Sequence, residues 1–212
     1  MGAHFRWPAP PPTAAALFVC VAALGCSSES PSPRLEAKGD TSQCIENLRA
    51  LYGGLVEYAE RRGGPPPHSG VAFFGSLVAE GIWPADAEHF ARLTCPGSKA
   101  PLAGAELPLA ERWRDLARVD EGWSAYAGRD QERAPLASLP GRGSEVLVAC
   151  DNHLGPNHTG ITNALCADGS VVSFEVALEI EAGNLPKGAA FVPVGPDSPI
   201  ALLRSLRPDP LP

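Results

Sequence analysis

The residues best suited to chemistry lie in one Gly/Pro/Asn-rich stretch, 151–158. Asp151, Asn152, His153 and His158 occur there and could converge on a cation. Two imidazoles and a carboxylate would suit zinc, whereas Asp and Asn oxygens would suit calcium. A metal site at Asp151, His153 and His158 is therefore one hypothesis. The other is an ordinary loop, since this composition also forms loops that hold no ligand.

A nucleophilic thiol is the second chemical possibility. Pairing Cys150 with one of these histidines would give a papain-like thiol hydrolase. His158 and Asp168 cannot form a catalytic pair, because the strand between them rises about 3.3 Å per residue and separates them by about 20 Å. Asp168-Gly169 suits a hairpin turn instead. In an oxidising compartment Cys150 would form a disulfide, so we predict no catalytic residue and no enzymatic activity.

The N-terminal segment, 1–25, has the pattern of a secretory signal peptide. A weakly basic start, with Arg6, precedes an apolar run that is too short to span the roughly 30 Å hydrocarbon core of a membrane. Ala23-Leu24-Gly25-Cys26 is similar to the bacterial lipobox, in which the cysteine carries lipid. Each buried CH₂ of an acyl chain adds about 0.8 kcal/mol. We therefore predict that Cys26 anchors the protein to a membrane.

The residue after Cys26 is Ser27 rather than Asp, a pattern associated with the outer membrane facing the periplasm. The Ser/Pro-rich composition of 26–41 predicts an extended tether between the lipid anchor and the domain. The formal charge is −7, and removing 1–25 takes away Arg6 and no acid, which leaves −8. Because a nucleic-acid partner requires a basic face, this charge argues against one.

The cysteines beyond the leader form an even set, which in an exported protein predicts two disulfides. Four cysteines allow three pairings, and buried free thiols are the alternative. No two of them have the CxxC spacing of zinc or thioredoxin-type motifs. These residues are Cys44, Cys95, Cys150 and Cys166.

Helical patterns precede strand patterns along the mature chain, which predicts an α+β domain. The strongest helix covers 42–62, with apolar residues at three- and four-residue steps, and ends at Gly63-Gly64 and three prolines. Gly53-Gly54 inside it indicates that something packs close to the backbone. Shorter helices are predicted at 72–80, 86–93 and 109–116, and strands at 122–127, 145–150, 161–167 and 170–175.

A hairpin around Asp168-Gly169 is the clearest local prediction. With these two residues as the loop, Leu165 faces Val172 and shares with Phe174 the side that lies against the helix. Cys166 then points to the other side, where Cys150 could reach it from the adjacent strand. This register favours a Cys150–Cys166 disulfide.

Several segments, in their order along the chain, resemble prepilin-like proteins related to type II secretion pseudopilins. The pattern runs through roughly 43–178, and its C-terminal signature is a histidine followed nine residues later by Asp-Gly. The matching segments are Cys44-Ile-Glu-Asn-Leu-Arg-Ala-Leu-Tyr with Tyr58-Ala59-Glu60, Leu93-Thr94-Cys95-Pro96, Trp123-Ser124-Ala125-Tyr126-Ala127-Gly128, and His158 with Asp168-Gly169.

The resemblance implies a pilin-like globular domain at 42–180, an amphipathic N-terminal helix packed on a small antiparallel sheet, followed by a C-terminal extension at 181–212. The extension could add an edge strand or serve for docking. The resemblance also implies a Cys44–Cys95 disulfide, and it favours calcium in the loop slightly. A prepilin leader and its polymerising apolar segment are replaced here by the lipobox, so filament assembly is not implied.

The function expected from these features is non-enzymatic. It is a structural or interaction role at the cell envelope, with the membrane as one partner through Cys26 and pseudopilin or secretion-system proteins as possible others. The alternative is a lipoprotein that binds a metal or small ligand through the loop from Asp151 to His158. No cofactor is expected apart from such a calcium or zinc ion.

Overall fold

The computed structural model describes residues 34–99, 101–150 and 156–208, which belong to one compact unit. The predicted signal peptide, Cys26 and the first half of the predicted tether lie outside these residues. Within the described residues, no helix has the length and apolar character needed to cross a membrane.

The described chain is a mixed α and β structure in which three helices precede the strands and a fourth, short helix follows the fourth strand. The helices are α1 (Arg34–Arg62), α2 (Val71–Ala79), α3 (Ala87–Arg92) and α4 (Val176–Glu181). The strands are β1 (Tyr126–Arg129), β2 (Val146–Cys150), β3 (Ile161–Cys166), β4 (Val171–Glu175) and β5 (Leu206–Arg207). Single 3₁₀ turns occur at Leu116–Arg118, Glu121–Trp123 and Ala201–Ser205.

The helix predicted at 42–62 is confirmed at its C-terminal end, where α1 stops at Arg62 before the glycines and prolines. Its N-terminal end lies earlier, at Arg34, so the last part of the predicted tether is helical. The helix predicted at 109–116 is wrong. That segment forms turns, which include Trp113 with a positive φ of 64°.

The strands form one antiparallel sheet in the order β4-β3-β2-β1-β5. The helices α1 and α2 cover one face, where Leu48 and Leu51 of α1 lie in a cluster with Leu147 of β2 and Leu165 of β3. This cluster, which we call the helix-side core, contains almost all of the large aromatic residues buried in the described chain.

The C-terminal segment covers the opposite face of the sheet. Val192, Leu203 and Leu206 are fully buried there against Ala149 and Ala164 of the central strands. β5 also extends the sheet by pairing with β1. Of the two roles left open for the extension, the structure therefore contains the edge strand. The extension also contributes to a second core, which we call the C-terminal core, on the face away from α1 and α2. The apolar segment 189–194, whose composition also suits a strand, is irregular.

The β3–β4 hairpin exists, but its predicted register is off by one residue. Leu165 pairs with Val171 instead of Val172, because the loop has three residues, Ala167 to Gly169. The loop closes through Gly169 N–H donating to Cys166 O, and Gly169 has a left-handed φ of 86°. A three-residue hairpin loop with glycine in that conformation is a common alternative to the two-residue turn.

This change moves side chains to the other face of the sheet, as a one-residue slip does in any strand. Phe174 lies in the C-terminal core rather than against the helices, and Val172 is exposed. Leu165 remains on the helix side and Cys166 remains on the opposite side, as predicted.

Gly53 and Gly54 of α1 differ in the space that surrounds them. A Cβ on Gly54 would lie 2.7 Å from Trp83 Nε1 and 2.9 Å from Leu77 Cδ1, so α2 and the following turn pack directly on the helix backbone. Gly53 has nothing within 4 Å of the equivalent position. The expectation of close packing is confirmed for Gly54 and is wrong for Gly53.

We predict opposite effects when each of these glycines is replaced by alanine. Gly53→Ala should stabilise the protein by about 1 kcal/mol, because alanine is the better helix former. Gly54→Ala should destabilise it by about 1–2 kcal/mol, because overpacking exceeds the helical gain. Denaturant unfolding of both variants measures the difference. Equal effects at the two positions would contradict the packing described.

Candidate functional site

Three side chains with metal-ligating atoms meet in the helix-side core. Cys44 comes from α1, Cys95 from the turn after α3, and His158 from the segment before β3. Cys95 Sγ lies 3.8 Å from Cys44 Sγ and 3.0 Å from His158 Nε2, and the three ligand atoms lie within 4.8 Å of one another. The exposed fractions are 0% for Cys44, 2% for Cys95 and 4% for His158.

Cys150 joins this group from the end of β2. Its thiol hydrogen-bonds with the side chains of both Cys44 and Cys95, and it is fully buried. Cys44, Cys95 and His158, which are far apart in sequence, thus bring their ligand atoms within 4.8 Å of one another, and Cys150 lies beside the two other thiols. We call Cys44, Cys95, Cys150 and His158 the Cys/His cluster.

Contacts within the cluster shift the pKa values of Cys44 and Cys95 in opposite directions. Hydrogen bonds with Cys150 and then Cys95 hold the pKa of the Cys44 thiol well below its ordinary value, although burial acts in the other direction. For Cys95, a hydrogen bond with Cys150 lowers the pKa, but the adjacent Cys44 and burial raise it further, so the pKa lies above the ordinary value.

Each of the three sulfurs also receives a hydrogen bond from a group outside the cluster. Asn163 N–H donates to Cys150 Sγ at 2.9 Å, and the Tyr126 hydroxyl lies 3.6 Å from Cys44 Sγ. The backbone N–H of Gly97 donates to Cys95. Sulfur accepts hydrogen bonds weakly as a neutral thiol and more strongly as a thiolate. The surroundings of the cluster are therefore suited to negative sulfur.

The turn that carries Cys95 leaves room for the imidazole by having a glycine. Ser98 N–H donates to Cys95 O at 3.2 Å and closes the turn. A Cβ on Gly97 would lie 2.6 Å from His158 Nδ1 and would also overlap Asn157 O. Glycine is thus required at this position for His158 to approach Cys95.

Asn47, one turn of α1 after Cys44, holds the Cys95 segment against the helix. Its side-chain nitrogen donates to Ala91 O at 3.2 Å and to Thr94 O at 3.4 Å, and its oxygen accepts from Gln43. Asn47 is 5% exposed, so these bonds form inside the protein. The spacing of Cys44 and Asn47 therefore places a ligand and an anchor on the same side of the helix.

The strand β1 and the residues before it are tied to the same segment. Ser124 Oγ donates to Leu93 O at 2.6 Å, and Ala125 N–H donates to Thr94 Oγ1 at 3.0 Å. On the other side, Asn157 Nδ2 donates to Ala125 O at 2.9 Å and positions the residue before His158. Most of the segments that carry the family resemblance therefore converge around the Cys/His cluster.

The predicted Cys150–Cys166 disulfide is wrong. Cys166 lies opposite Val146, which is four residues before Cys150 in β2. The thiols of Cys150 and Cys166 lie in different cores, on opposite faces of the sheet. A distance of about 13 Å along the strand follows from the rise per residue. The interpretation failed because it assumed that Cys150 lay level with Cys166 and on the same face.

The predicted Cys44–Cys95 pair does come together, but as free thiols 3.8 Å apart. The alternative of buried free thiols describes all four cysteines in this structure. Cys44 and Cys95 are not a separate pair, because Cys150 contacts both of them.

Of the three residues in the predicted loop metal site, only His158 lies within the described part of the chain. Asp151 and His153 lie outside the described residues. His158 lies inside them and is directed at Cys95 rather than at solvent. Asp168 is remote from it in the β3–β4 turn, where its carboxylate accepts hydrogen bonds from Ser170 N–H and Oγ. The turn interpretation of Asp168-Gly169 is therefore supported by these contacts.

A thiol hydrolase would need a nucleophile that substrate can reach. Cys150 is fully buried, as is its neighbour Cys44. A surface depression in the described part of the chain is lined instead by residues of the β1 end and the C-terminal segment. Its lining is Asp130, Glu132, Arg133, Pro196, Arg207 and Pro208.

Sequence reasoning found every member of the Cys/His cluster but not the cluster itself. The cysteines were assigned to disulfides, and His158 was assigned to a loop with Asp151 and His153. The usable signal was the position of Cys44, Cys95 and His158 within segments of the same family pattern, which does not include Cys150. That order carries no distances, so it could not show that the four side chains meet.

Comparison of the chain with protein-family models, with curated proteins and with solved structures gives no significant match. The family resemblance therefore stands on the quoted segments alone.

We predict that Asn47→Ala destabilises the protein by about 1–3 kcal/mol, because Ala91 O and Thr94 O would lose a buried donor. Gln43→Ala is the matched control, since Gln43 is exposed and only adds to the same hydrogen-bond chain. Denaturant unfolding measures both. A loss for Asn47→Ala no greater than that for Gln43→Ala would show that the anchor has no energetic role.

Proposed function

We propose that this protein is a non-enzymatic lipoprotein with a pseudopilin-like domain that serves as a structural or interaction component at the cell envelope. The observation that carries this proposal is the enclosure of its reactive side chains. The thiols and the imidazole that could act as nucleophile and base are all within the core, where they tie helices to the sheet. Residues placed in this way stabilise a fold and do not meet a substrate.

The pilin-like part of the proposal is supported by architecture and by motif position. A long N-terminal helix precedes an antiparallel sheet, and apolar residues of that helix are buried with residues of the central strands. Asn47, Ser124 and Tyr126, which belong to the resembling segments, all make buried contacts around one junction. The motifs thus act together in a single packing arrangement.

The envelope location is supported by the lipobox, and the charge excludes the need for a basic membrane-binding surface. Ala23-Leu24-Gly25-Cys26 follows a short apolar run, and the mature chain at −8 has the sign expected to avoid nucleic acid and anionic lipid surfaces. Attachment would then depend on the lipid at Cys26 rather than on a basic surface of the domain.

Metal binding by the loop from Asp151 to His158 is not favoured as an alternative function. His158 is buried and its Nε2 lies 3.0 Å from Cys95 Sγ, so this imidazole already contacts a thiol in the core.

We predict that cells given an alkyne-labelled fatty acid incorporate the label into the full-length protein. Cys26→Ser should abolish labelling and release the protein from the membrane fraction. Cys20→Ser is the matched control, because that cysteine lies in the predicted leader and should leave both unchanged. Labelling that survives in Cys26→Ser would contradict the anchor.

We further predict that the envelope partners contact the folded domain. Cross-linking of cells that express the full chain with a C-terminal tag, followed by detergent extraction and mass spectrometry, identifies them. Co-purification of prepilin-leader proteins or secretion-channel components supports a role beside that machinery. Recovery of unrelated envelope proteins alone would count against a pseudopilin-type partner.

A further inference from the structure

We propose that Cys44, Cys95, Cys150 and His158 bind one zinc ion in a closed tetrahedral site in the core of the protein. The donor set of three thiolates and one imidazole is one that structural zinc sites use. It differs from the loop set of Asp151, His153 and His158, and it gives the buried cluster a role that the proposed function does not require.

The ligand atoms of Cys44, Cys95 and His158 lie within 4.8 Å of one another, and two of their distances can be compared with those around a zinc ion. Cys150 is not in that group and would complete the donor set by moving toward the other three ligands. Zinc–sulfur bonds of about 2.3 Å in a tetrahedron separate two sulfurs by about 3.8 Å. The observed distance between Cys44 Sγ and Cys95 Sγ is 3.8 Å. A sulfur and a nitrogen bound to the same ion would lie about 3.5 Å apart. Cys95 Sγ and His158 Nε2 are 3.0 Å apart, so the imidazole would withdraw by about 0.5 Å.

The hydrogen bonds around the cluster fit the charge of the bound form. Binding zinc converts three thiols to thiolates and releases their protons, with no change in oxidation state. The site then carries one net negative charge, which a buried position must compensate. Donors from Asn163, Tyr126 and Gly97 each reach a different sulfur, as second-shell donors do at thiolate–metal sites.

A Cys44–Cys95 disulfide would bond only two of the four side chains, whereas a zinc ion would bond all four. Joining Cys44 to Cys95 would satisfy two sulfurs and leave Cys150, which contacts both, beside a fixed disulfide. It would also leave His158 directed at a sulfur that no longer has a proton or a charge to share. A zinc ion bonds to all four side chains at once.

The site has no open coordination position for a substrate, because four protein ligands complete a tetrahedron. All four are buried, and they come from α1, the turn after α3, the end of β2 and the segment before β3. The ion would thus join the helices to the sheet. Its role is structural rather than catalytic.

The test is metal analysis of the full-length protein, extracted from membranes in detergent and purified without chelator under mild reduction. We expect one zinc per chain by mass spectrometry of the metal. Refolding with cobalt in place of zinc should give the intense visible bands of tetrahedral thiolate coordination. A zinc-free preparation that takes up neither metal would overturn the proposal, as would peptide mapping that finds Cys44 joined to Cys95 in unreduced protein.

Variants identify the ligands. His158→Ala should lose zinc, whereas His158→Cys should retain it as a four-thiolate site with a changed cobalt spectrum. Cys166→Ser is the matched control, because it removes a buried thiol on the opposite face of the sheet and should leave the zinc content at one. Unchanged zinc content and cobalt spectrum in His158→Ala would overturn the assignment of the imidazole.

A milder variant keeps the test valid if ligand variants fail to fold. Tyr126→Phe removes only the hydroxyl near Cys44 and should weaken zinc affinity by about 10- to 100-fold, as loss of a second-shell donor does. Competition with a chromophoric chelator measures this. Unchanged affinity would contradict a thiolate at Cys44 that depends on this donor.

Discussion

The structure depends on burying four polar, ionisable side chains at one junction of helix and sheet. Three thiols and an imidazole lie inside an apolar core, where an unpaired charge would be costly. They are tolerated because each sulfur has a donor and because they hydrogen-bond with one another. The surrounding anchors, with Asn47 foremost, fix the segments that carry them. The remaining packing of α1 and α2 on the sheet is arranged around this junction.

The sheet separates two cores of different kinds. The helix side holds the aromatic residues and the Cys/His cluster, while the C-terminal side is aliphatic except for Phe174 and contains Cys166 as its thiol. Small residues of the central strands, such as Ala149 and Ala164, let the C-terminal segment approach closely. Because β2 and β3 are covered on both faces, they lack the alternation of buried and exposed residues that marks a half-exposed sheet.

Local features of the fold could be predicted, and features that depend on long-range geometry could not. The end of α1 and the existence of the β3–β4 hairpin follow from glycine, proline and turn chemistry nearby. The register of the hairpin could not be predicted in this way, because Asp-Gly fits both a two-residue and a three-residue loop. That one-residue difference misplaced Phe174. The prediction of a Cys150–Cys166 disulfide was wrong for a further reason. It depended on which residues of β2 and β3 lie opposite each other, and a bulge in β2 shifts that register.

The position of β1 in the sheet has a consequence for how the chain folds. β1 lies between β2 and β5, and β5 is formed by the last described strand residues, Leu206 and Arg207. The sheet is therefore complete only when β1, the first strand, has paired with β5, the last one. Its contacts join residues that are far apart in sequence. Folds of this kind acquire their native contacts late and slowly. A chain that stopped at residue 180 would have α1, α2 and the first four strands, yet β1 would be an open edge and one sheet face would be bare to water.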